Sequence, residues 1–218
     1  IGLQATFLNR AIGAKIVIVH GGGEQVSKAM ENRGITPEFD AVSQKRKTNL
    51  QTLHIFDETV RQLNKNNVES MQWVTDEITF QGMAGYDNET VMASPINDDF
   101  TGQIDSVNGA FLKNINDNTV PVIYSACKNN TAINGEHRLN VNADDLATEI
   151  AVELNAKRIM LLSDINGVLD KNNQKISSLH VEEINTLINS KTITGGMVPK
   201  LLNAQKCATK IPNGGVVI

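Results

Sequence analysis

The chain has 218 residues, of which 40 % are hydrophobic and 20 % charged, an ordinary composition for a globular protein with one sizeable core. A net charge of −4, with Lys45-Arg46-Lys47 as its one short basic cluster, argues against a nucleic-acid surface. No apolar run is long enough to span a membrane, and two distant cysteines, Cys127 and Cys207, suggest neither a disulfide framework nor a metal site and fit a reducing compartment.

Apolar runs alternate with helical patterns, which predicts an α/β fold with a largely parallel sheet. The chain opens at Ile1, not Met, in what reads as a helix already under way, with Leu3, Phe7, Leu8 and Ala11 on one face; it therefore looks trimmed at its start. Ile16 to Val19 is short and wholly apolar, as a buried central strand would be. Gly21-Gly22-Gly23 follows, then a helical stretch from Glu24 to Asn32. A second helical pattern runs from Gln51 to Leu63, and strands are expected around Gln72–Val74 and Thr79–Met83. A further unit begins at Gly102–Val107, a helix at Ala110–Ile115 and a buried strand at Val120–Ser125. Asn134-Gly135 marks a hairpin turn. Asn142 or Asp144 can cap a helix whose apolar face is Leu146, Ala147, Ile150, Ala151 and Leu154. Ile159–Leu162 reads as a strand, Val181–Ile188 as a helix, and Val198 to Leu202 as the start of the last helix. Gly215–Ile218 opens a final strand.

Three glycines between a buried strand and a helix let the backbone approach a ligand, and they aim amide groups at an anion near a helix N-terminus. A plain tight turn would need no third glycine. Neither the P-loop spacing nor the dinucleotide G-x-G-x-x-G spacing is present. Asn140 and Asn142 alternate on an extended segment and so face one side, ahead of Asp144 at a helix start. A strand ending at Asp164, with a glycine loop after it, sits where open α/β sheets bind ligands. Gly195-Gly196 opens a helix carrying Lys200, an arrangement able to cradle phosphate.

These motifs, in this order, resemble the amino acid kinases, and most closely the acetylglutamate kinases. Ile16-Val-Ile-Val-His-Gly-Gly-Gly is similar to the family's strand–glycine–helix unit, Leu139-Asn-Val-Asn-Ala-Asp to its N-[IV]-N-A-D element, and Gly195-Gly-Met-Val-Pro-Lys to its G-G-M-[IV]-P-K element. Arg46-Lys-Thr-Asn-Leu-Gln-Thr-Leu parallels R-x-T-D-x-x-T-L, with Asn49 for the usual Asp and Gln44-Lys45 where Gly-Leu normally precedes the Arg. Gly85-Tyr86-Asp87 stands where the family often has G-K-D. The strand with K-x-G-G that opens the family and its closing strands are not found in these residues.

The resemblance implies a three-layer α/β/α sandwich around a mostly parallel sheet. It is expected as one domain, 1–218, incomplete at both ends, with an acyl-amino-acid lobe over roughly 1–140 and a nucleotide lobe over 141–218. It implies transfer of the ATP γ-phosphoryl group to the γ-carboxylate of N-acetyl-L-glutamate, a step of arginine biosynthesis. Gly22, Gly23, Arg46 and Asn140 would hold the acceptor, and Asp164, Ile165, Asn166, Gly167, Val168, Leu169, Gly195 and Gly196 the nucleotide. Lys200 would be catalytic, with Asp144 organising it. ATP and Mg²⁺ are implied, with no protein metal ligands, as are a cytoplasmic setting, small-molecule substrates and a homodimer or larger homo-oligomer. Two alternatives share the pattern: a related kinase with another acyl amino acid or a carbamate-like acceptor, and a non-catalytic amino-acid-sensing domain of the acetylglutamate synthase type.

Overall fold

A computed structural model describes residues 13–41, 43–73, 75, 78–96, 99–133 and 135–218. The expected opening helix, Val74 and Asn134 lie outside them. Strand β1 (Ile18–His20) pairs in parallel with β5 (Thr119–Tyr124), whose other edge pairs in parallel with β2 (Thr79–Ala84). The apolar run expected as a fully buried central strand is thus an edge strand among the described ones, and its residues are only part-buried.

A second sheet has the order β4 (Gly102–Val107), β3 (Val91–Pro95), β6 (Ala126–Ile133) and β7 (Glu136–Asn140). It is antiparallel except where β3 meets β6. The β6–β7 pair is the hairpin that Gly135, at φ +79°, helps to turn. A third, parallel pair joins β8 (Arg158–Met160) to β9 (Gly215–Val217). The α/β class with mostly parallel pairing is as expected, four of the six pairs among the described strands being parallel; the hydrogen-bonded pairings fall into three groups.

The helices are α1 (Gly23–Glu31), α2 (Leu50–Gln72), α3 (Gly109–Lys113), α4 (Ala143–Glu153), α5 (Val181–Asn189) and α6 (Met197–Lys210). Helix α2 starts where Asn49 Oδ1 accepts the Thr52 amide at 2.9 Å. Asparagine caps helices about as well as aspartate, so the exchange of Asn49 for Asp keeps this start intact. The helix runs a further two turns and more past Leu63, because Val68 and Met71 continue its apolar stripe onto Phe80, Val120 and Val122. Gln72, expected in a strand, is the last residue of α2. Its side chain donates to the Thr75 and Ile78 carbonyls and accepts the Phe80 amide, leading the chain from helix into β2.

The main core gathers residues from α1, α2, the central strands and α4, among them Met30, Leu53, Val60, Ile123, Leu139 and Leu146. Two smaller clusters lie in the later part of the chain, one around Ala151, Ile159, Leu161 and Cys207, the other around Val168, Ile184, Ile193 and Leu201. Helix α4 joins the first two: Leu146 and Ile150 face the main core, Ala151 the second. Its N-terminal turn is therefore held by packing on both sides, which matters for the side chains that it carries.

Candidate active site

The site is built around the first turn of α4. Asn142 caps it, its Oδ1 accepting the amides of Asp144 (2.8 Å) and Asp145 (3.1 Å). The cap is therefore Asn142 and not Asp144, and the Asp144 carboxylate is free to do something else. Both of its oxygens accept from Lys200 Nζ at 3.0 Å, and Lys200 also donates to the Leu162 carbonyl at 3.2 Å. Lys200 sits in the first turn of α6, whose N-terminus no side chain caps. Gly195 (φ +58°) and Gly196 precede it, with no atom where a Cβ would project. This leaves room for a ligand beside uncapped amides and a lysine.

Asp145 has separate partners. Lys45 Nζ lies 2.8 Å from its Oδ2, and Asn203 Nδ2, one turn beyond Lys200, donates to its Oδ1 at 2.7 Å. Gly21 packs on the same turn: a Cβ there would come within 3.1 Å of the Ala143 Cβ. Gly22 faces the other way, where a Cβ would meet Leu63 Cδ1 at 2.8 Å and Val60 Cγ1 at 3.1 Å, so its lack of a side chain lets α2 approach closely. Only Gly23 of the three has open space beside it.

The glycine turn is held by two devices. His20 Nδ1 donates to the Gly21 carbonyl (2.9 Å), while Asn64 Nδ2 donates to His20 Nε2 (2.9 Å) and to the Val122 carbonyl (2.8 Å). A carbonyl only accepts and an amide nitrogen only donates, which fixes His20 as the neutral Nδ1–H tautomer. Burial agrees, pushing its pKa below the usual value against a smaller opposing effect from the Gly21 carbonyl. The second device is Arg46, only 8 % exposed. Its guanidinium donates to the Gly23 carbonyl and to Ser27 Oγ, both at 2.9 Å, and lies 4.7 Å over the Phe39 ring.

Arg46 makes no ion pair with a carboxylate among the described residues, and burial alone lowers its pKa. A buried guanidinium without a counter-charge is costly and is well matched to an incoming carboxylate. Its backbone is fixed as well, the carbonyl accepting from Thr48 Oγ1 (3.0 Å) and Thr101 Oγ1 (2.8 Å). Asn140 Nδ2 donates to Thr48 Oγ1 at 3.0 Å. Arg46, Asn140 and the glycine turn thus belong to one hydrogen-bonded unit, although 94 positions separate Arg46 from Asn140, as 140 − 46 gives.

The segment from Asp164 to Leu169 comes after β8 in the chain, and its Gly167 lies beside the Ile218 carbonyl just past β9. Asp164 and Ile165 are exposed, and Gly167 takes φ +90°. The Val168 side chain is 7 % exposed and packs with Ile184, Ile193 and Leu201. An apolar side chain beside that cluster is better satisfied inward than on a polar ligand. Of the basic cluster Lys45-Arg46-Lys47, only Lys47 is exposed.

Sequence reasoning missed Lys45, Asp145, Asn203, Ser27, Thr48 and His20. The basic cluster and the adjacent Asp144-Asp145 were the available signal, since opposite charges ask to be paired. Two cavities, about 390 and 520 Å³, lie along the outer flank of α2 and include none of these residues. They share Arg61 and Lys65, and the first is lined by the buried Asp57 with its ion-pair partners Arg61 and Arg138.

Residues 5–215 match the model of the amino acid kinase family. An acetylglutamate kinase of Helicobacter hepaticus is 35 % identical over 208 residues, covering 93 % of this chain and 71 % of that protein. One of Campylobacter fetus is 34 % identical over 205 residues, covering 92 % and 70 %. Among solved structures, smu.665 of Streptococcus mutans UA159 superposes with a TM-score of 0.85 at 22 % identity, covering 99 % of this chain and 91 % of that one. At that identity the likeness speaks for the fold.

Proposed function

The chain belongs to the amino acid kinase family, and we propose that it phosphorylates the γ-carboxylate of N-acetyl-L-glutamate at the expense of ATP, a step of arginine biosynthesis. The curated relatives that it matches over most of its length are acetylglutamate kinases. The observation that carries the reading is the first turn of α4, which gathers a lysine from the glycine-led helix and the glycine turn with its buried arginine.

In this reading a γ-carboxylate oxygen of the acceptor attacks the γ-phosphorus of ATP. The bond from that phosphorus to the β-phosphate oxygen breaks, and ADP and an acyl phosphate leave. Such a transfer needs positioning and charge neutralisation and no protein nucleophile. Arg46 would clamp the acceptor α-carboxylate through its planar fork, with Asn140 beside it. The amides of Gly22 and Gly23 would face the reacting end. Lys200, aimed by Asp144, would neutralise charge on the moving phosphoryl group. Gly195, Gly196 and the segment from Asp164 to Leu169 would receive the nucleotide, with Val168 supporting it from below.

The reading brings Mg²⁺ in on the ATP phosphates, where it would keep much of its water and offset their charge. We place the protein in the cytoplasm as a homodimer or larger homo-oligomer, with the acceptor lobe over roughly 1–140 and the nucleotide lobe over 141–218. The sensing-domain alternative has no use for a lysine held on a carboxylate at a glycine-led helix start.

The test is acceptor-dependent ADP release. We expect ADP to form with N-acetylglutamate and ATP–Mg²⁺, and to fall to background with glutamate, N-acetylaspartate or carbamate. Equal turnover with carbamate would transfer the assignment to another acceptor. Tight amino-acid binding with no ADP would leave the sensing domain.

A further inference from the structure

We infer that Asp145 is a positioning residue that couples the acceptor loop to the helix carrying Lys200, so that nucleotide and acceptor bind cooperatively. The inference rests on the kinase reading. Asp144 and Asp145 are neighbours in one helical turn, and they divide the site between them. Asp144 takes Lys200 with both oxygens. Asp145 splits its oxygens: Oδ2 to Lys45 at 2.8 Å, and Oδ1 to Asn203 at 2.7 Å.

The two partners of Asp145 come from opposite sides of the site. Lys45 is bonded through the chain to Arg46, whose guanidinium reaches the glycine turn. Asn203 is on α6, one turn after Lys200, and its Nδ2 also donates to the Pro199 carbonyl at 3.1 Å. A shift of α6 toward a bound nucleotide would therefore move Asn203, the Asp145 carboxylate and the loop bearing Arg46 together. The Lys45 and Asp145 side chains are 21 % and 26 % exposed, less open to screening than a surface pair.

A merely structural ion pair would change stability and leave the two ligands independent. A coupling device changes the affinity of each ligand in the presence of the other, by the same factor in both directions. The measurement is calorimetric titration of N-acetylglutamate with and without a non-hydrolysable ATP analogue and Mg²⁺, together with the reverse titration. For the unaltered protein we expect nucleotide to tighten acceptor binding about 5- to 20-fold, within the usual range of such couplings.

Asp145→Asn keeps an acceptor for Asn203 but loses the charge facing Lys45, and should cut that factor to below about twofold. Lys45→Met, which leaves α4 and α6 untouched, should do the same, and the double variant should lose no more than either single one. Coupling at the unaltered level in both variants, or none in the unaltered protein, would overturn the inference. Acyl-phosphate formation by the unaltered protein is measured beside it, so a failure of the kinase reading is seen separately.

Discussion

Replacing Lys200 with alanine is expected to lower kcat by about two powers of ten or more, with a smaller change in either KM. The expectation follows from where the ammonium sits. Lys200 Nζ is held 3.0 Å from both oxygens of Asp144 and 3.2 Å from the Leu162 carbonyl, in the first turn of a helix that two glycines open. Three acceptors fix the direction of the charge before any ligand arrives. A group pre-oriented in this way costs no reorganisation when charge develops on the transferred phosphoryl group, which is why its loss falls on turnover more than on binding. Steady-state kinetics with both substrates varied will decide it. Turnover within a few-fold of normal would remove Lys200 from the chemistry and leave its contact with Asp144 as packing.

The second large effect concerns Arg46. Arg46→Lys keeps the positive charge and loses the planar fork. We expect the KM for N-acetylglutamate to rise about 10- to 100-fold, the range for losing a charge-assisted hydrogen bond, while that for ATP stays within about twofold. The guanidinium also supports the Gly23 carbonyl and Ser27, so a purely structural role would disturb the glycine turn and spoil both substrates alike. The ratio of the two KM changes therefore separates a clamp from a brace. Equal changes would show that the uncompensated charge of Arg46 serves the fold.

Much of this was legible in the sequence because the informative positions are glycines and their neighbours. Gly21-Gly22-Gly23 after an apolar run, and Gly195-Gly196 before a helix with Lys200, mark both turns, although Gly21 and Gly22 also serve close packing against Ala143, Val60 and Leu63. Boundaries with a clear cap or periodicity, such as α4 and α6, fell close to expectation. What was hidden depended on which residues meet across the fold. Nothing local tells that Asn142 takes the cap and thereby frees Asp144 for Lys200. Nothing local distinguishes Lys45, paired with Asp145, from Lys47, which is exposed. Nothing local tells that the Val168 side chain turns from its loop into a core cluster. Which strand pairs with which was equally beyond reach, since periodicity reports burial of a strand and not its partners.

The central claim is that this site makes an acyl phosphate on N-acetylglutamate. Hydroxylamine intercepts acyl phosphates and converts them to stable hydroxamates, so the most direct measurement is a reaction with ATP–Mg²⁺ and N-acetylglutamate in hydroxylamine, followed by mass spectrometry. The account predicts the γ-hydroxamate of N-acetylglutamate in amounts matching the ADP formed, and its loss in Lys200→Ala. ADP without hydroxamate, or a folded protein that binds N-acetylglutamate and yields neither, would contradict it.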